Sequence, residues 1–165
     1  MQSKGYTKDS GGFWSKDGNR LSPVVITFPV EQDVTPVIVQ QLRKGGYDAS
    51  FKMPSNFGDL IYNGDADAYV FGHGGSVRDP YFTLRLYETQ FGAPKGTAAA
   101  DPYRWSNPDY DKLVDQLGTI PSDDPQFNTI YHQAMELWLK NLPDIPLVQF
   151  YHRNPVNTID RKSVV

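Results

Sequence analysis

Phe71-Gly72-His73-Gly74-Gly75-Ser76-Val77-Arg78-Asp79-Pro80 is the stretch on which the fold of this chain turns. It follows Ala68-Tyr69-Val70-Phe71, a short apolar run bounded by turn residues that predicts a buried strand. It ends on Asp79-Pro80, an acidic cap followed by proline at the first helical position, which predicts a helix start. A glycine-rich loop between a strand's carboxyl end and a helix is where open α/β sheets gather ligands. His73, Gly74, Gly75, Ser76 and Arg78 are therefore the first candidates for contact with a ligand.

The same alternation extends upstream. Gly12-Phe13-Trp14 and the apolar run Leu21 to Val30 flank Lys16-Asp17-Gly18-Asn19, and the Asp-Gly step predicts a hairpin with a long apolar second strand. Val34, Val37, Ile38 and Leu42 recur at helical spacing. Asp33 or Thr35 serves as N-cap there, Pro36 falls in the first turn, and Arg43, Lys44 and Gly45 close the helix. Tyr47 to Met53 alternates like a strand, and Ser55 to Tyr62 reads as a short helix with Leu60 and Ile61 inward. Strand, helix, strand, helix, strand with short links predicts right-handed crossovers onto a mainly parallel sheet flanked by helices.

Downstream, Asn107-Pro108 and Asp124-Pro125 repeat the Asp79-Pro80 cap and predict two further helices. Phe127, Ile130, Tyr131, Ala134, Met135 and Trp138 form one apolar stripe that Asn141-Leu142-Pro143 ends, and Leu147 to Tyr151 reads as a last strand. Phe91 to Tyr103, rich in Gly, Ala and Pro, is a long loop of the kind that carries function.

A chain of 165 residues with 39% hydrophobic side chains can bury one ordinary core, so residues 1–165 are expected to be a single domain. The net charge of −3 and the lack of a long basic run exclude a nucleic-acid or anionic-membrane surface. No window reaches the ~18 consecutive apolar residues of a membrane span, and Met1-Gln2-Ser3-Lys4-Gly5-Tyr6 has no apolar signal-peptide core, so a soluble chain is expected. Without cysteine there is neither a disulfide nor a thiolate metal site. Ten Tyr, nine Phe and three Trp exceed what one modest core uses, and aromatic rings also make walls for a cleft.

Each candidate residue has a structural role to set against the functional one. His73 either meets ligand or bonds to backbone, Gly74 and Gly75 permit positive φ, and Arg78 either pairs with Asp79 or reaches the cleft, the pairing being favoured. Tyr103 and Trp105, leaving the long loop, are either stacking platforms or packing under the Asn107 cap, whereas Trp14 and Trp138 belong to the core. His73-Gly74-Gly75 looks like an esterase oxyanion loop, but the Gly-x-Ser-x-Gly nucleophile elbow is nowhere in the chain, so no enzyme is expected. Asp65 and Asp67 read as turn and strand-entry residues. His73, His132 and His152 are too far apart in sequence to suggest a metal site, and no cofactor is expected.

Lys4-Gly5-Tyr6, Gly12-Phe13-Trp14, Lys16-Asp17-Gly18, Gln40-Gln41-Leu42, Gly46-Tyr47, Gly64-Asp65, Asp79-Pro80, Asn107-Pro108 and Ile145-Pro146-Leu147, in that order, resemble the second lobe of the family 5 extracytoplasmic solute-binding proteins of ABC importers. The resemblance covers nearly the whole chain. It implies a periplasmic-binding-protein type II-like lobe that closes with a first lobe, absent here, over a peptide, oligosaccharide or metal chelate and then docks onto a membrane permease. It also implies a periplasmic or extracytoplasmic location and a chain that is an excised piece. In the peptide-binding members an Asp stands three residues before the Asp/Glu-Pro step and a Trp three residues earlier; here those positions hold Ser76 and His73. Serine cannot neutralise an ammonium group, so the loop favours a hydroxyl-rich oligosaccharide, with an oligopeptide as the alternative.

Overall fold

The computed structural model describes residues 1–72, 80–92, 96, 99 and 102–148. Its organising element is β4 (Val24–Thr27), the central strand of a parallel sheet in which β5 (Ser50–Lys52) and β6 (Ala68–Val70) pair on either side, giving the order β5-β4-β6. Period-two alternation assigns the two faces. Val25, Ala68 and Val70 face α1 (Thr35–Lys44) and pack with Val39, Ile38 and Leu42. Ile26, Tyr69 and Phe71 face the other way and pack with Phe57 and Ile61 of α2 (Phe57–Tyr62). A strand covered on both faces must be apolar throughout, and this explains Val24-Val25-Ile26.

The apolar run after Asp17-Gly18 is thus not the second strand of the hairpin, as its composition led us to expect. Asp17 and Gly18 do make a tight turn, both with positive φ, 51° and 78°. The strands it joins are β2 (Trp14–Lys16) and the two-residue β3 (Asn19–Arg20), with β1 (Thr7–Lys8) added on the far side. Leu21 onward leaves the hairpin because its side chains need cover on two faces, which only the parallel sheet supplies. The hairpin is fastened to the C-terminus of α1. There Tyr47 N–H donates to Leu42 O and Gly46 N–H to Arg43 O, a Schellman cap with Gly46 at φ 94°. Trp14 seals it, its indole N–H donating to Gly45 O at 2.8 Å and its backbone N–H to Gly46 O at 2.7 Å, so this half-buried tryptophan is a clamp as well as packing.

Neither Asp33 nor Thr35 caps α1. Val34 holds the cap position without a side-chain bond, and Thr35 is fully buried, its hydroxyl 2.9 Å from Glu31 O and 2.8 Å from the hydroxyl of Thr27. A buried hydroxyl needs partners, and two threonines facing each other across the strand–helix link satisfy that need.

The second half is helical. α3 (Pro80–Leu84) continues as a 3-10 turn over Arg85–Tyr87, and α4 (Pro108–Leu117) packs on α5 (Phe127–Asn141). Asn107 caps α4 as expected, its side chain accepting from Asp109 and Tyr110 N–H. Asp124 does not cap α5. Its carboxylate accepts from Gln126 N–H at 2.7 Å and its carbonyl from Phe127 N–H, making a separate turn, so the helix starts two residues later than the Asp-Pro signal placed it. Leu142 stops α5 in the left-handed conformation, φ 45°. Leu147 and Val148 are exposed and belong to no strand; the rest of the expected last strand lies outside the described residues.

The core here is aromatic: Tyr87, Tyr103, Tyr110, Phe127 and Trp138 are buried with Leu84, Val114, Leu117 and Ala134. Buried phenols require acceptors. Tyr110 donates to Leu84 O at 2.7 Å and Tyr87 to Asp144 at 2.8 Å. The two halves are joined at Tyr62, whose carbonyl accepts from Ala99 N–H and from Arg104, and at Tyr69, whose hydroxyl donates to Pro102 O.

Candidate functional site

The three parallel strands leave their carboxyl ends side by side. β4 runs out into Phe28-Pro29, β5 into Met53-Pro54 and β6 into Phe71-Gly72. The chain goes from β4 through α1 on one face and from β5 through α2 on the other, so neighbouring strands β4 and β6 flank a topological switch point. A cleft of about 350 Å³ opens at this edge, within the size range of small-molecule sites.

Among the described residues, ten line it; none of these carries a charged side chain, and Ser55 and Tyr62 are the two that offer a hydroxyl. The rest of the wall is apolar. Phe57 and Ile61, 5% and 1% exposed, form the floor, while Phe28 and Met53, 45% and 52% exposed, stand at the rim. The rings form a connected row: Phe28 to Phe57 at 5.9 Å, Phe57 to Phe71 at 6.0 Å, and Phe71 edge-on to Tyr62 at 6.5 Å between centroids. Large apolar groups kept half in water beside an open cleft differ from scattered surface leucines, because here they are contiguous.

Glu31 lies beside this edge. The residue is 5% exposed, its Oε2 has no hydrogen-bond partner among the described residues, and a Cβ added to Gly72 would come within 3.6 Å of Oε1. Burial raises its carboxyl above the ordinary 4.5. Tyr69, on the sheet face below, is pushed up to about 12, chiefly by burial. Among the described residues no three His, Asp or Glu side chains come together to hold a metal ion, and no helix is long and apolar enough to cross a membrane.

The expected contact residues His73, Gly74, Gly75, Ser76 and Arg78 lie outside the described residues; the strand that leads to them ends at the cleft. Tyr103 is buried in the helical core with its ring 4.4 Å from that of Tyr87. Trp105 is half-buried, edge-on to Tyr110 at 4.8 Å, close to the Asn107 cap. Neither lines the cleft. Sequence reasoning missed Phe28 and Met53, although each shows a usable signal. Both are large apolar residues directly before proline at a strand's carboxyl end, where proline keeps its predecessor extended and a polar turn residue is usual.

No protein-family profile and no curated protein sequence matches the chain. Solved structures do. NikZ from Campylobacter jejuni in complex with Ni(L-His) superposes with a TM-score of 0.70 at 20% identity, over 86% of this chain and 29% of that one. The oligopeptide-binding protein AppA from Bacillus subtilis, in complex with a nonapeptide, gives 0.65 at 24% identity, over 86% and 28%. The oligopeptide-binding protein from Thermus thermophilus, complexed with a pentapeptide, gives 0.65 at 16% identity, over 86% and 27%. The chain spans less than a third of the length of each. It has the mixed helix and parallel-sheet fold of part of these binding proteins, the periplasmic-binding-protein type II-like architecture expected from the sequence.

Proposed function

We propose that this chain is one lobe of a bilobal extracytoplasmic solute-binding protein of family 5, serving an ABC importer by non-covalent capture of an oligopeptide. The observation that carries this is the cleft: apolar and lined by no charged side chain among the described residues, and open at the carboxyl edge of a parallel sheet in a fold shared with peptide and nickel-chelate binders. A first lobe would close over that edge by hinge motion, and the closed form would dock on the permease. Affinity would come from enclosure, and no covalent step is involved.

Ring-lined walls, with no charged side chain among the described residues, suit the apolar side chains of a peptide. An oligosaccharide brings many hydroxyl groups, each costing free energy when enclosed without a partner. The oligosaccharide expectation rests on residues 73–76, outside the described residues, and the cleft therefore favours the peptide. Equilibrium titration of the complete two-lobed protein with a peptide pool and with cello- or chito-oligomers tests this. Peptide binding is expected; binding of sugars alone would overturn the choice of solute. This lobe by itself presents half the contacts, so it is expected to bind weakly or undetectably.

A further inference from the structure

One lining position of the cleft is occupied by a residue that neither backbone nor packing requires. Gly58 lies in α2, where glycine costs about 1 kcal/mol relative to alanine. Its φ is not in the left-handed region, and a Cβ built on it meets no described residue within 4 Å. The contrast is Gly118, where an added Cβ would come within 2.8 Å of the Tyr81 ring and glycine is needed for contact between α3 and α4. At Gly58 the missing side chain leaves open space, and Gly58 itself lines the cleft on the same helical face as Ile61 and Tyr62.

We propose that this space is a bay for one bulky apolar side chain of the solute, such as Leu, Met or Phe, and that Gly58 is its specificity-determining residue. The inference rests on the peptide capture proposed above and names which peptides are taken. Phe57 and Ile61 supply a floor already desolvated by the core, so an incoming side chain displaces water from apolar walls without stripping a charge. Met53 and Phe28 at the rim, both largely exposed, close over the side chain; a thioether adapts to different shapes. Enclosing one such side chain corresponds to roughly ten- to hundredfold in affinity.

The test is calorimetric titration of the complete two-lobed protein with pentapeptides that differ at one position, Leu or Phe against Gly or Ser. The native protein should bind the Leu and Phe peptides at least about tenfold more tightly. Gly58→Met, which fills the bay and improves helix propensity, should abolish that preference, bringing the Leu and Phe peptides down to the affinity of the Gly and Ser peptides. Met53→Lys, at an exposed rim position that folding does not depend on, provides a second variant with the same expected loss. Equal affinity for all four peptides, or a preference that survives both variants, overturns the bay and leaves peptide capture standing. A uniform loss across all peptides in Gly58→Met also overturns it, since that marks obstruction of lobe closure. If the native protein binds none of the peptides, both proposals fall.

Discussion

The two halves of this chain use the same kind of side chain for opposite ends. In the helical half Tyr87, Tyr103, Tyr110 and Trp138 are all buried, the rings of Tyr103 and Trp138 against that of Tyr87 and the hydroxyls of Tyr87 and Tyr110 bonded to fixed acceptors. In the sheet half Phe28, Phe57 and Phe71 form a row whose middle ring, Phe57, is in the core, whose Phe71 end is half-buried and whose Phe28 end stands in water. An aromatic-rich composition therefore resolves into a scaffold and a wall. The difference lies in the cover each group receives: helices enclose the first, while strand ends open onto a cleft beside the second.

Substitutions that break this contrast should separate the halves by stability. Tyr110→Ala removes a fully buried ring and its hydroxyl's bond to the Leu84 carbonyl, and is expected to cost about 3–5 kcal/mol in urea-induced unfolding. Met53→Ala, at the half-exposed rim, should stay within about 0.5 kcal/mol. Equal losses at the two positions would mean that the rim is core and not a wall.

A smaller effect probes the junction between hairpin and sheet. Gly46→Ala forces a side chain into φ 94° and within 3.2 Å of the Gly12 carbonyl, so a loss of about 1–2 kcal/mol is expected on thermal melting. Indifference to this change would show that the Schellman cap and the Trp14 clamp do not hold the hairpin.

The smallest effect is pH-dependent. Glu31 has its folded pKa raised by burial, so the folded state holds the proton more tightly than the unfolded chain does. Its contribution is fully present below the ordinary 4.5 and is lost as pH rises through the folded value. Glu31→Gln should match the native protein at pH 4 and exceed it in stability at pH 7. The same difference at both pH values would contradict an unpartnered carboxyl at the cleft edge.

Much of the sheet half is legible in the sequence because parallel strands and their crossover helices announce themselves by period and by caps. The alternation from Val24 to Val70 predicts order and direction correctly. The errors are local. The apolar run after Asp17-Gly18 goes to the nearest turn, because sequence shows that a strand is apolar but not which sheet covers it. Asp124-Pro125 misplaces a helix start by two residues, since an acidic side chain can close a turn just before a helix as readily as it caps one. The candidate site is legible in position more than in residues. Reading outward from Phe71 leads to the sheet edge where the cleft opens and singles out loop residues that lie outside the described ones, whereas the apolar groups before Pro29 and Pro54 pass as parts of their strands. Only the fold shows that Phe28 and Met53 project beyond the core.

A crystal structure of the proposed two-lobed protein with an apolar pentapeptide bound tests the aromatic wall most directly. A peptide side chain is expected against Phe28, Met53, Phe57 and Phe71, beside Gly58. A peptide held between the lobes with that cleft filled only by water would contradict the assignment of these residues to a binding wall.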